Sequence, residues 1–137
     1  MQIPIASTVT LVMELFIATL IFYIVYGGYA KNVFSKKLTF FAIAYETVFN
    51  VGYMIYRTVA APSTVNLGSG LKIVAAMHGM LSLVMLVVVI LFFLRATREY
   101  AKGINSFRVH HIQAKVFLVC WIVSLLSGIF LYLKVYF

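Results

Sequence analysis

The chain of 137 residues is 64% hydrophobic and 10% charged, and its formal net charge is +8. Its mean hydropathy of +1.07 is too high for a soluble domain, so we expect an integral membrane protein surrounded by lipids. Long apolar runs separate the basic residues, which therefore form no continuous tract for nucleic acid. The single cysteine, Cys120, excludes an intramolecular disulfide and a zinc site of the multi-cysteine type.

Four apolar stretches are long enough to cross a bilayer, which requires about 20 apolar residues. They cover residues 8–29, 38–60, 73–94 and 112–134. The first stretch has no basic leader, so we expect a permanent helix rather than a cleavable signal peptide. Short connections make successive helices antiparallel. The predicted fold is therefore all-α, a single membrane domain built as an up-down four-helix bundle.

Charge in the connections predicts the orientation. Residues 30–37 and 95–111 are rich in lysine and arginine, which favours the cytoplasmic side of a prokaryotic-type plasma membrane. The connection 61–70 carries Pro62, Asn66 and three glycine or serine residues near its end, with no charge, and is typical of an external turn. Both termini are then expected outside.

Few polar residues occur within the spans, and such residues usually face the interior of a bundle. In the second span, one helical face carries Glu46, Asn50, Tyr53 and Arg57. From the helical rise, four side chains should lie at one level of the external half: Glu14, Tyr53, Arg57 and His78. The fourth span adds Ser124, Ser127, Tyr132 and, at the level of Glu46, Cys120. These residues predict one polar column through the bundle.

Two interpretations of this column remain open. In the first it joins the helices: Glu14 pairs with Arg57, and hydrogen bonds cross between helices from Asn50, Ser82 and Ser124. In the second it carries protons. Glu46 has no cation at its own depth and is the better proton-binding candidate, whereas Glu14 is the better ion-pair partner.

Histidines are the candidate cofactor ligands, because neutral imidazole binds both haem iron and other metals. His78 is the candidate within the membrane, whereas His110 and His111 lie at the cytoplasmic mouth of the fourth span. Two axial histidines from one chain are therefore disfavoured, and ligation from one side or shared with a partner chain remains open. Copper(I) is disfavoured, because Met77 and Met80 lie on another helical face from His78.

Residues near the membrane surface have simpler interpretations. Arg108 and Lys115 are expected to contact lipid headgroups or the propionates of a haem. The aromatic residues at the ends of spans are typical of an interfacial belt: Tyr26, Tyr29, Tyr136 and Phe137. Trp121 lies too deep for that belt and is expected in the core.

The second half of the chain carries a pattern of single residues in its last two spans. It consists of His78 within Ala76-Met77-His78-Gly79-Met80, followed by His110, Lys115, Trp121, Ser127 with Gly128, and Tyr132. In this pattern the chain resembles the small four-helix CtaM-type family, which is associated with maturation of haem–copper cytochrome oxidases. The family also has histidines at two places in its second helix. Here Lys36 or Lys37 stands at the first place, and Arg57, after Tyr53, at the second.

The resemblance implies a protein associated with a respiratory haem–copper oxidase, either an accessory subunit or an assembly factor that handles haem. Its cofactor-binding residues would be His78, His110, Arg57 and Tyr53, and its partners other membrane subunits. Two alternatives remain: a structural subunit of another multi-subunit membrane enzyme, and a small proton-coupled transporter of the multidrug type that uses Glu14. An enzyme is disfavoured, because Cys120 and His110 stand about 15 Å apart on one helix and make no nucleophile–base pair.

Overall fold

The computed structural model describes residues 4–59 and 67–137, and within these ranges the chain is helical and has no strands. The helices are α1 (Ile5–Lys31), α2 (Lys36–Val59), α3 (Ser69–Ala101), α4 (Ser106–Val109) and α5 (His111–Tyr136). Four of them, α1, α2, α3 and α5, are long and apolar enough to cross a membrane. The prediction of an all-α membrane bundle is confirmed. Most of the predicted external turn, residues 61–66, lies outside the described residues, and its last two residues already belong to α3.

The four long helices form a ring. Helix α1 packs against α2 and α5, and α3 packs against the same two helices from the opposite side. Neighbours in the ring are joined in chain order, which is the up-down arrangement. We call the end where α1 begins and α5 finishes the terminal end, and the end that carries α4 the α4 end.

The apolar core lies toward the α4 end. Side chains without solvent exposure include Ile17 and Ile21 of α1 and Val89 and Phe93 of α3. Trp121 of α5 is also buried, as expected. Phe92 stacks on Phe117 with ring centroids 4.6 Å apart, which ties α3 to α5. This half of the bundle is densely packed, and the cavity described below lies in the other half.

The basic connection 95–111 is more ordered than the sequence predicted. Helix α3 continues to Ala101, a turn follows at Gly103 with φ of +76°, and α4 forms the remainder. The low hydropathy of this stretch is typical of a loop. The helix nevertheless continues beyond the apolar run, because Arg95 and Glu99 form an i,i+4 ion pair with an N–O distance of 3.0 Å. The predicted loop is therefore wrong for most of its length.

Residues 28–34 and 100–110 form a compact unit that we call the α4 cap. Asn105 is its centre. Its side-chain oxygen accepts hydrogen bonds from the Tyr100 hydroxyl at 2.8 Å and from the Arg108 amide at 3.0 Å, which caps α4. Its side-chain amide donates to the Gly28 carbonyl at 2.8 Å and to the Asn32 side-chain oxygen at 2.7 Å. One side chain thereby joins the end of α1 to the end of α3.

Aromatic packing completes the α4 cap. Phe34 stacks on Tyr100 at a centroid distance of 4.4 Å, and Phe107 is fully buried beneath them. The Phe107 ring lies against the backbone of Gly28, where a Cβ would collide with it. Glycine at this position lets the α4 cap close over α1.

Candidate functional site

A cavity of about 520 Å³ opens between the four long helices at the terminal end. We call it the terminal cavity. Its volume is in the range of small-molecule and cofactor sites, and its wall is mostly apolar with a few polar groups, as such sites usually are. The polar and sulfur-bearing side chains that line it include Glu14, Tyr53, Met54, Arg57, His78 and Tyr132. All four residues expected at one membrane level thus face one space.

Hydroxyl groups close one side of the terminal cavity. Ser7 is buried, and its hydroxyl hydrogen-bonds with those of Tyr53 at 3.2 Å and Tyr136 at 3.1 Å. Thr8 bonds with the Tyr132 hydroxyl at 2.7 Å. These bonds connect α1 to α2 and α5. Tyr136, which the sequence placed in an interfacial belt, directs its hydroxyl inward instead.

His78 is held in one orientation by α5. Its Nδ1 lies 2.7 Å from the Ser127 hydroxyl, and that hydroxyl donates its own hydrogen to the Ser124 carbonyl at 2.6 Å. Since a hydroxyl has one hydrogen, the Nδ1–H of His78 must be the donor to Ser127. In the neutral ring this assigns the lone pair to Nε2, the atom that most often ligates metals from a fixed imidazole. The partner of Nε2 is the Ser82 hydroxyl, at 3.4 Å.

Gly128 leaves open the space beside the ring edge of His78 that carries Cε1 and Nε2. A Cβ at this position would stand 3.3 Å from His78 Nε2 and 3.9 Å from a carboxylate oxygen of Glu14. His78 and Glu14 therefore approach the same point from α3 and α1. A side chain on α5 would occupy the space that glycine leaves.

The expected ion pair between Glu14 and Arg57 does not form. Among the described residues, the ion pairs within 4.0 Å are those of Glu99 with Arg95 and with His110. Glu14 and Arg57 both line the terminal cavity, but their charged groups are more than 4.0 Å apart. Depth along the helix predicted a shared level, but not the distance across the bundle.

Glu14 instead lies beside Glu46. Both residues line a small cavity with Trp121 and a second one with Tyr45, which we call the Trp121 cavity and the Tyr45 cavity. Glu46 is buried and accepts a hydrogen bond from the Asn50 side chain on its own helix. Two carboxyl-bearing side chains therefore line the same two small cavities between the helices.

Several other polar residues differ from expectation. Asn50 and Ser82 bond within their own helices, and around the terminal cavity the bonds across helices come from His78, Ser7 and Thr8. Cys120 is exposed on the outside of the bundle and is not part of the polar column.

The methionines Met77 and Met80, which bear on a metal site, are exposed. Within residues 4–59 and 67–137, no cluster of three or more His, Cys, Asp or Glu side chains is arranged to hold a metal ion.

His110 lies at the α4 end, away from the terminal cavity. Its Nε2 is 3.1 Å from Glu99 and 2.7 Å from Arg95, so it belongs to a surface cluster on α3 and α5. The structure does not bring His110 together with His78. Arg108, expected at lipid headgroups, donates to the carbonyls of Tyr29 at 2.7 Å and Ala30, which satisfies the end of α1. Lys115 is exposed.

The sequence did not identify the hydroxyl groups on α1 or the role of Tyr136. A signal was available, because Ser7 precedes Glu14 by seven residues, two helical turns, and Tyr136 follows Tyr132 by four. The residues of each pair share a helical face. Ser7 and Tyr136 were missed because the predicted spans began at residue 8 and ended at residue 134.

Comparison with known proteins gives no match: no family model matches the chain, and neither a curated protein nor a solved structure matches it.

Proposed function

We propose that this chain is a haem-handling membrane protein of a prokaryotic-type plasma membrane, associated with a haem–copper oxidase as an assembly factor or accessory subunit. The observation that carries the proposal is His78. Its Nδ1–H is engaged by Ser127, its side chain lines a cavity of about 520 Å³, and the ring edge that carries Cε1 and Nε2 borders space that Gly128 keeps clear.

The residues of the terminal cavity fit such a ligand. His78 would supply a ring nitrogen as a ligand to the iron, and Met54, which lines the same cavity from α2, offers a thioether. Arg57 carries a guanidinium suited to a propionate carboxylate, and Tyr53 adds a hydroxyl. A bound haem would supply the iron chemistry that the oxidase needs, and the protein's contribution is to bind and orient it. His110 has no part in this site, since it lies at the α4 end.

The resemblance to the CtaM-type family supports the oxidase setting, because the same His78, Ser127, Gly128 and Tyr132 that carry the resemblance surround or line the terminal cavity. Arg57, which stands where the family has a histidine, lines that cavity as well. The substitution replaces a metal ligand by a cation, and this favours binding of a carboxylate at that position.

We propose that the terminal end faces outward and the α4 end faces the cytoplasm. Lysine and arginine concentrate at the α4 end, including Lys31, Lys36 and Lys102. In a Cys120→Ala background, a membrane-impermeant maleimide should label Lys102→Cys in inverted vesicles and Leu67→Cys in right-side-out vesicles. Labelling in the opposite vesicles would reverse the orientation.

The test of haem handling is a titration of the purified chain with haem in nanodiscs. The wild type should develop a Soret band, and His78→Ala should weaken binding about tenfold or more, as expected when an axial ligand is removed. His111→Ala is the matched control, because that exposed histidine lies at the other end. Equal binding by both variants would remove His78 from the site, and no Soret band in the wild type would end the haem proposal.

Co-purification from native membranes separates the versions of the proposal. Stoichiometric recovery of mature oxidase subunits would identify an accessory subunit, and recovery with immature subunits an assembly factor. Stoichiometric recovery of a different membrane enzyme, without a Soret band, would identify a structural subunit of that enzyme.

One observation favours a second candidate, the proton-coupled transporter. An ion pair with Arg57 would have kept Glu14 charged, and this pair is not formed within 4.0 Å. Glu14 lines an open cavity and remains available to exchange a proton. Energised uptake or efflux of a cationic dye in proteoliposomes, abolished by Glu14→Gln, would support transport, and absence of proton-driven flux would exclude it.

A further inference from the structure

Two polar groups near Glu14 and Glu46 have no hydrogen-bond partner among the described residues. The indole N–H of Trp121 and the hydroxyl of Tyr45 are both screened from solvent and unpaired in the structure. The Trp121 side chain is buried, with 5% of its surface exposed. An unpaired buried donor costs about 1–3 kcal/mol, so such groups usually have an ordered water as partner.

Trp121 and Tyr45 each line a small cavity that Glu14 and Glu46 also line. The Trp121 cavity has a volume of about 10 Å³ and is lined by Glu14, Glu46, Ser82 and Ser124. The Tyr45 cavity has a volume of about 20 Å³ and is lined by Glu14, Glu46 and Asn50. A polar space needs about 10–15 Å³ and two to four polar partners to hold one water.

The chemistry of the lining selects the ligand. An indole N–H only donates, so it requires an acceptor such as a water oxygen, and it would oppose a metal cation. A water in the Trp121 cavity accepts from Trp121 and donates to a carboxyl group, while Ser124 and Ser82 supply further partners. A water in the Tyr45 cavity does the same for the Tyr45 hydroxyl.

We propose that one water molecule occupies the Trp121 cavity and another the Tyr45 cavity, and that these waters bridge Glu14 and Glu46. Because Glu14 also lines the terminal cavity, the waters extend a hydrogen-bonded connection from that cavity to Glu46. The proposal is independent of what the terminal cavity binds. It adds a hydrated site at mid-membrane depth to a bundle whose α4 half is densely packed.

Trp121 is the only tryptophan in the chain, so its signals report on this site without background. Ultraviolet resonance Raman spectra of the protein in nanodiscs give the hydrogen-bond strength of its N–H, and transfer to D₂O gives the rate of N–H exchange. The wild type should show a hydrogen-bonded indole that exchanges readily. A free N–H, or an indole that exchanges only on global unfolding, would overturn the proposal.

Two substitutions of one residue distinguish water from a direct contact. Ser124→Val fills the Trp121 cavity and should weaken the N–H hydrogen bond and slow its exchange about tenfold or more. Ser124→Ala removes the hydroxyl without filling the cavity and should leave exchange fast. Val123→Ala, at a largely exposed position next to Ser124, is the control. Equal exchange in Ser124→Val and the wild type would contradict the proposal; if Ser124→Val does not fold, the wild-type spectrum and Ser124→Ala still decide it.

Discussion

The two ends of the bundle satisfy their polar groups in opposite ways. At the α4 end, Asn105 and Arg108 direct their hydrogen bonds to the backbone of α1, and Phe107 fills the space beneath them. At the terminal end, Ser7 and Thr8 bond to tyrosine hydroxyls around a cavity of about 520 Å³. The comparison suggests that a closed end holds the helices together and permits the other end to remain hollow, as a binding site requires.

The largest effect on stability is expected from removing the aromatic ring of Phe107, which fills the closed end. Phe107→Ala should destabilise the protein by about 3–5 kcal/mol, because a fully buried ring is replaced by a cavity. The measurement is equilibrium unfolding in mixed micelles. Phe137→Ala is the control, since that ring is exposed. A loss below about 1 kcal/mol would mean that the α4 cap does not stabilise the bundle.

A smaller loss is expected from the centre of the α4 cap. Asn105→Ala removes the cap of α4 and the bonds to Gly28 and Asn32, and should cost about 2–3 kcal/mol in the same unfolding experiment.

Asn105→Asp provides the matched comparison, because aspartate keeps the oxygen that caps α4 and loses the amide that reaches α1. Its unfolding free energy should lie between those of the wild type and Asn105→Ala. If the two variants were equally stable, the bonds to α1 would contribute nothing, and the closed end would depend on aromatic packing alone.

The smallest effect on stability, and the most specific for the hollow end, is expected at Gly128. In Gly128→Ala the new methyl group would stand 3.0 Å from His78 Cε1 and crowd the ring, whereas Gly52→Ala in α2 meets nothing within 4 Å. Alanine gains up to about 1 kcal/mol over glycine within a helix, so Gly52→Ala should be slightly stabilised and Gly128→Ala should gain less.

Ligand binding should separate the same two variants further. Haem titration should show binding weakened several-fold by Gly128→Ala and unchanged by Gly52→Ala, because the methyl group of the former also stands 3.3 Å from His78 Nε2. Parallel behaviour of the two variants in both measurements would show that the space beside His78 has no special role.

Much of the fold could be predicted from the sequence. Each of the four long helices contains its predicted span up to the last described residue, because about 20 consecutive apolar residues have few alternatives to a membrane helix. The extent of α3 was predicted less well. Charged residues after Leu94 are typical of a loop. The helix continues to Ala101 because Arg95 pairs with Glu99 and because Tyr100 and Asn105 connect its end to α4 and α1.

The candidate site divides in the same way. Helical period and rise were enough to bring Glu14, Tyr53, Arg57 and His78 to one level, and all four line the terminal cavity. The partners across the bundle were not predictable, because they depend on the rotation and separation of the helices. Glu14 therefore lies beside Glu46 rather than in an ion pair with Arg57, and His78 bonds to Ser127.

The sequence by itself determined that this protein is a membrane bundle of four long helices and that Glu14, Tyr53, Arg57 and His78 face its interior, since both follow from hydropathy and from periodicity along one helix. Only the tertiary structure decided that one end is closed by Asn105 and Phe107 and the other is hollow, and that two glutamates line the same small cavities between them. The physical reason is that hydrogen bonds and cavities depend on distances of a few ångströms between different helices, and no pattern within a single helix encodes them.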